Sequence, residues 1–439
     1  MAPQTRRASS SRGARTRSAR YPKLKPGPGR TADEVGAHQR ARLQKAMVEL
    51  VAARGYNAVS VATLSGRAGV SKRDFYKHFE SKEECFLATY DLIVNNSVGG
   101  ILAAAEGEVE WRERLRLGFL ALAEQIAERP AAARLALVEV FAAGAPAVDR
   151  VLDTNRRFEA LVARDLALAD GHPDLPRLVV KGIVAGGGRV ARARLLSGHP
   201  GQLILDGDEL MEWVLSLCDA EVVRLPGLGA GAPAPTASAA ELPLDDERAL
   251  ILAATARLAS RDGYSTLTVA RIRAAAGVSK QSFDAHFDGV EDCFLATLEV
   301  LSGRTMANAA PHYFDAADWA SGVHRMIVSL CHHLAADPTF VKLAFLEVFS
   351  PRREAIQWRS EMIARLAARL RREAPPEWQP SEFAAEASVG AMWGLIHYFV
   401  ATGRNAQLPL AAPVLSYLAL APALGGAMAI EVIDRNHFA

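Results

Sequence analysis

Four cations and a phenol crowd one short stretch of this chain. The segment GVSKRDFYKHFESKEECFLAT, from Gly69 to Thr89, holds Lys72, Arg73, Tyr76, Lys77 and Lys82. Nothing in it sets a nucleophile beside a base or spaces ligands for a metal. Long cationic side chains and a phenolic hydroxyl instead grip anions, phosphate above all, and Arg and Lys can also donate to base edges. Lys82 opens SKEE, a capping-box signal. The free amides of a helix start add to its hold on an anion.

Helical turns must position these groups. Ser60 can cap a short helix with Val61, Leu64 and Ala68 facing inward. Gly69 then permits a tight turn with positive φ. Ser71 can cap a second short helix, in which Phe75 and Phe79 share the buried face and Lys72, Arg73, Tyr76 and Lys77 stay outside. Upstream, Thr31 and Glu34 form a further capping-box signal, and Leu43, Ala46, Met47, Leu50 and Val51 make an apolar stripe. Two short helices across a glycine turn form a helix-turn-helix, whose second helix would enter the major groove.

The same text recurs. GVSKQSFDAHFDGVEDCFLAT starts at Gly277, 208 residues after Gly69, and Gly55-Tyr56 and Gly263-Tyr264 share that spacing. Pro130 meets Pro338, and LALVEVF at Leu135 meets LAFLEVF at Leu343. After a shift of three, SGHPGQLIL at Ser197 faces TGRNAQLPL at Thr402. A period this long is a duplicated domain, not a solenoid repeat. No convincing run of alternating β-branched residues occurs, so both copies are expected to be all-α. The expected layout is a basic tail at residues 1–30, a first head at 31–90 and a first helical regulatory domain at 91–223. A Pro/Gly/Ala/Ser linker at 224–246 follows, then a second head at 247–298 and a second helical domain at 299–439.

The combination of Gly55-Tyr56, a Ser/Thr cap, Ala68-Gly69-Val70-Ser71, Phe75-Tyr76, His78-Phe79 and Lys82-Glu83 resembles the DNA-binding domain of the TetR family of bacterial transcriptional regulators. The match runs from Thr31 to about Tyr90. The resemblance implies a three-helix head on an all-helical domain that dimerises and binds a small ligand, whose arrival usually releases DNA. It also implies that Tyr76 and Lys82 contact phosphate, and that Lys72, Arg73, Asp74 and Lys77 face bases. Ser60, Thr63 and Ser71 complete the expected DNA-facing set. His78 is read either as a phosphate neighbour or as a packing residue.

The second copy keeps the scaffold residues Gly277, Val278, Ser279, Phe283, His286 and Phe287. It has Gln281 for Arg73, Asp284 for Tyr76, Ala285 for Lys77 and Val290 for Lys82. Phosphate contacts carry much of DNA affinity, so this head is expected to bind DNA weakly or not at all.

Composition bounds the rest. Of 439 residues 50% are hydrophobic, enough for a sizeable core. The net charge of +2 conceals nine Lys or Arg before the first acid, Asp33. That tail reads either as a solvated, disordered segment or as one drawn to DNA, and a transit peptide has similar composition. No apolar signal-type run follows it. Four cysteines are too few for a disulfide framework, and Cys331-His332-His333 lacks metal-ligand spacing. The uncharged stretch between Arg404 and Glu431 is broken by Pro409, Pro413, Pro422 and Gly425-Gly426 and is expected to be a buried helix, not a membrane span. No GxGxxG, P-loop, GxSxG or HExxH pattern occurs, and AGGGR at Ala185–Arg189 is read as a site of close helix packing.

The sequence therefore points to a DNA-binding regulator, not an enzyme, with no cofactor and no metal. The expected partners are a double-stranded DNA operator and an apolar small-molecule effector. No membrane partner is expected, and the assembly is either an intramolecular pseudo-dimer or a homodimer. Trp393, His397 and Tyr398 could line a ligand pocket, but bulky apolar residues more often pack in a core or dimer interface. A helical interaction scaffold in which neither head binds DNA is the rival reading.

Overall fold

The computed structural model describes residues 31–168, 175–218, 222, 224–225, 246–349 and 353–437. The basic segment 1–30 and most of the expected linker lie outside the described residues. Among these residues the architecture is all-helical, with one order of helices written twice.

In the first module α1 spans Ala32–Arg54, α2 Val61–Ala68, α3 Lys72–Phe75 and α4 Lys82–Ala104. Then come α5 Trp111–Glu128, α6 Pro130–Leu137, α7 Ala145–Leu166, α8 Arg177–Leu196, α9 Gln202–Leu205 and α10 Gly207–Ser216. The second module repeats them as α11 Glu247–Asp262, α12 Val269–Ala276, α13 Lys280–His286, α14 Val290–Phe314 and α15 Trp319–Ala336. It continues with α16 Pro338–Phe345, α17 Arg353–Glu373, α18 Glu382–Ala401, α19 Leu408–Leu424 and α20 Gly426–His437.

Local chemistry starts these helices. Thr31 accepts from Glu34 N–H and Glu34 accepts from Thr31 N–H, a complete capping box. Ser60, Ser71 and Ser81 cap α2, α3 and α4 in turn. Each such cap contributes about 1 kcal/mol. Gly69 ends α2 in the left-handed region at φ 62°, where a Cβ would be strained.

The two modules pack on each other within the one chain. Helices α8 and α18, each 205 residues from its counterpart, lie side by side. The contacts are reciprocal: Trp213 of α10 donates from Nε1 to Ser388 Oγ of α18 at 3.1 Å, and Leu418 of α19 presses on Gly182 of α8. This exchange is what a pseudo-twofold arrangement requires. AGGGR provides the closeness, since a Cβ on Gly186 would stand 2.7 Å from the Ala387 carbonyl oxygen. Arg189 donates to Ser360 and pairs with Glu386 at 3.3 Å, and Arg194 reaches the same carboxylate at 3.1 Å.

The uncharged stretch becomes α19, buried along most of its length against α15, α18 and α20. By length and composition α4 and the 405–424 segment could each cross a membrane, but the latter is enclosed by protein.

Candidate nucleic-acid interface and interior cavity

Phe75 and Phe79 anchor the first helix-turn-helix in its core, at 0% and 1% exposure. Burying one such ring stabilises the head by roughly 2–3 kcal/mol. With those rings inside, Lys72, Arg73, Tyr76 and Lys77 are exposed on the opposite side. Tyr76 is 57% exposed and meets Phe75 edge-on, 5.3 Å between centroids. The helix itself is shorter than the sequence reading supposed. It ends at Phe75, so Tyr76 is its C-cap and Lys77 lies in the turn beyond.

Asp74 and Lys77 are engaged with each other. The Lys77 ammonium donates to Asp74 Oδ1 at 2.7 Å, and Ser71 donates to Asp74 Oδ2 at 2.7 Å. The hydrogen bond from Lys77 leads in holding the Asp74 carboxyl below its ordinary range. Ser60 and Thr63 are exposed and complete a capping box at the start of α2. Lys72 and Arg73 are also exposed.

The Lys82 contact and the Ser81 cap differ from the sequence reading. Lys82 is not an open anchor, because its ammonium folds back to donate to the Tyr56 carbonyl at 3.2 Å and sits 3.9 Å over the Tyr56 ring. Burial pushes its pKa down. Glu84 accepts from Glu80 N–H instead of closing the box on Ser81. His78 takes the packing position: its Nε2 meets Gln39 Oε1 at 3.0 Å, its carbonyl accepts from Arg40, and its ring faces Gly36. Burial, then the Arg40 charge, lowers its pKa.

Sequence reasoning missed the residues that brace the head. Arg42, on the apolar face of α1, is buried and donates to the carbonyls of Ala68 and Gly69, the latter at 3.1 Å. Its position amid Leu43, Ala46 and Met47 was the available signal. Arg67 reaches back to Glu49 at 2.5 Å. Glu139, in the 3₁₀ turn after α6, accepts from Tyr56 N–H at 3.1 Å and joins head to body.

In the second head Gln281, Asp284 and Ala285 are exposed where Arg73, Tyr76 and Lys77 stand in the first. Val290 packs against the core in place of Lys82. Leu250 occupies the position of Arg42, so that guanidinium has no counterpart at this place in the second head. The body joint persists, with Glu347 accepting from Tyr264 N–H at 2.8 Å.

The family model described as bacterial regulatory proteins, tetR family, matches residues 44–89 and again 251–297. The chain therefore carries two TetR-family DNA-binding segments in tandem. A relative, the HTH-type transcriptional activator FasR of Mycolicibacterium smegmatis, is 40% identical over 78 residues, 18% of this chain. The chain spans about a third of the length of that relative, 36%. Among solved structures, a TetR-like transcriptional regulator from Rhodococcus sp. RHA1 is 19% identical. It is matched over 40% of this chain and 96% of its own, with a TM-score of 0.35. The fatty acid degradation regulator FadR from Bacillus halodurans is 17% identical over 40% of this chain and 97% of its own, with a TM-score of 0.36. Nothing about function follows from likenesses this slight.

Behind the first TetR head lies a cavity of about 360 Å³, within the usual range for small-molecule sites. Leu115, Phe119, Ile126, Val162, Ile183 and Val214 give it apolar walls. Its remaining wall comes from the other module: Arg359 and Ile363 of α17, and Trp393, His397 and Tyr398 of α18. The three residues singled out in the sequence thus meet at one site, and that site is chiefly the first module's. They line the cavity where the two modules meet. His397 Nδ1 donates to the Phe345 carbonyl at 2.8 Å, and burial pushes its pKa down to about 4, so the ring is neutral. The Lys181 ammonium lies 4.1 Å over the Tyr398 ring and pairs with Glu159. Gly118, Gly187 and Gly188 leave room in the first module where the second has Met326, Met392 and Trp393. His333 of the Cys331-His332-His333 run turns back to the Ser329 carbonyl at 2.8 Å.

Proposed function

We propose that this chain is a DNA-binding transcriptional regulator gripping a double-stranded operator through its first head. An apolar small molecule in the interior cavity sets that grip, and the second head contributes little. One observation carries the reading: Lys72, Arg73, Tyr76 and Lys77 are displayed together on the head's solvent face, while the equivalent face of the second head has one cation, Lys280, and an anion, Asp284. Affinity for DNA follows phosphate neutralisation, so the two faces differ in kind. Lys72 and Arg73 would read bases, Tyr76 would hold phosphate, and Ser60, Thr63 and Ser71 would add polar contacts from the helix starts. Lys82 would act from its seat on Tyr56, and Asp74 and His78 would orient their neighbours.

The route from cavity to head is short. Leu137 and Phe141 line the cavity, and Glu139 between them holds the Tyr56 amide. A ligand that moves this turn moves the joint beside Lys82. The reading is repression relieved by ligand. The matched relative is an activator by its printed name, so the sign of control has to be read from a reporter. Selecting bound fragments from sheared genomic DNA, then repeating the selection with Arg73→Ala/Tyr76→Asp, tests the proposal. Enrichment that vanishes in the double variant supports it. No enrichment with the unaltered chain would favour the interaction scaffold.

A further inference from the structure

The cavity wall holds a guanidinium that has no counter-ion among the described residues. Arg192 of α8 donates from Nε to the Leu137 carbonyl at 2.8 Å and lies 5.6 Å over the Phe141 ring. No carboxylate among the described residues pairs with it. The acids nearby are already engaged: Glu386 with Arg189 and Arg194, Asp206 with Arg194, Glu159 with Lys181, and Asp165 with Arg114 and Arg164. Arg192 is half-buried and lines the cavity. Burial lowers its pKa to about 10, and the charge of Arg189 adds to the effect.

The second module brings another cation to the same wall. Arg359 of α17 is buried, and the charges of Arg192 and Arg189 lower its pKa further after burial itself. Trp393 Nε1 is buried without an acceptor and lines the cavity. Donors therefore gather at the α8–α17–α18 corner, while α5 and α7 offer apolar walls. A buried charge without a partner is costly to keep, and a carboxylate facing a guanidinium can accept two parallel hydrogen bonds from it.

We propose that the cavity takes an amphiphile with a single carboxylate head, held by Arg192 with Arg359 beside it, and with its apolar tail between α5, α7 and α8. The assignment rests on the reading of this cavity as the effector site and adds the chemical class of the effector. A neutral head would leave Arg192 uncompensated, and an amine would be repelled. Since α8 belongs to one module and α17 to the other, the head group would also tie the two modules together.

Isothermal titration of the full chain with decanoate, 1-decanol and decylamine tests this. Decanoate should bind at least about tenfold tighter than decanol, and decylamine should not bind. Arg192→Met should bring decanoate down to the level of decanol, and Arg192→Lys should restore part of the preference. A melting curve checks folding, and Arg192→Gln serves if the Met variant melts early. Equal binding of decanoate and decanol to the unaltered chain would overturn the carboxylate head and leave an apolar cavity site standing. Unchanged decanoate binding in folded Arg192→Met or Arg192→Gln would also overturn it. If no compound of the series binds, the cavity reading falls and this assignment with it.

Discussion

The two heads share a skeleton and differ on their surfaces. Phe75 and Phe283 are both fully buried, Gly69 and Gly277 both turn in the left-handed region, and Glu139 and Glu347 make the same joint to the body. The differences lie where solvent or DNA would be met, at Gln281, Asp284, Ala285 and Val290, and at one internal clamp, where Leu250 replaces Arg42. A fold survives surface exchange because its stability sits in buried rings and caps. On the proposed reading a phosphate grip would not survive it, because the grip consists of the charges exchanged. The second module keeps what packing needs, and packing is its visible role, since α17 and α18 close the first module's cavity.

Copying second-head residues into the first is the most direct way to break this comparison. Tyr76→Asp should have the largest effect, cutting operator affinity on the order of 100-fold by setting an anion against phosphate, as fluorescence anisotropy would read. A loss under threefold would mean that the phenol faces no phosphate. Arg42→Leu should come next. Removing a buried charged donor from the Ala68 and Gly69 carbonyls costs about 2–3 kcal/mol locally. Amides of residues 61–79 should then exchange hydrogen at least tenfold faster, while 269–287 stay unchanged. Equal protection of residues 61–79 in Arg42→Leu and in the unaltered chain would show the clamp to be idle. Lys82→Val should lower affinity modestly and reduce the salt slope by about one unit; an unchanged slope would mean that Lys82 serves only Tyr56. Asp284→Ala should matter least, changing affinity less than about twofold if that face meets no DNA.

What could be read from the sequence follows from how far each interaction reaches. The caps at Thr31, Ser60 and Ser71 span three residues, so their partners are visible in the text. The inward faces of α1 and α2 repeat at helical spacing and are equally plain. Glu139 and Tyr56 are 83 residues apart, and Arg189 and Ser360 are 171 apart, and no local pattern announces such pairs. The fate of Lys82 was hidden for the same reason: its partner is the Tyr56 carbonyl, reached only after the chain has turned twice. Trp393, His397 and Tyr398 were visible as bulky polar-tipped residues, but not their setting in the first module's cavity, which depends on α18 lying along α8. Arg192 gave no signal at all in ARARLL, because its significance is the absence of a neighbouring acid in space.

The asymmetry of the two heads is tested most directly on one footprinted operator, titrated with Arg73→Ala and with Gln281→Ala. The account predicts a footprint with one strongly protected half, a loss of at least tenfold for Arg73→Ala, and a change within about twofold for Gln281→Ala. A palindromic footprint protected equally on both halves, with equal losses from the two substitutions, would contradict it.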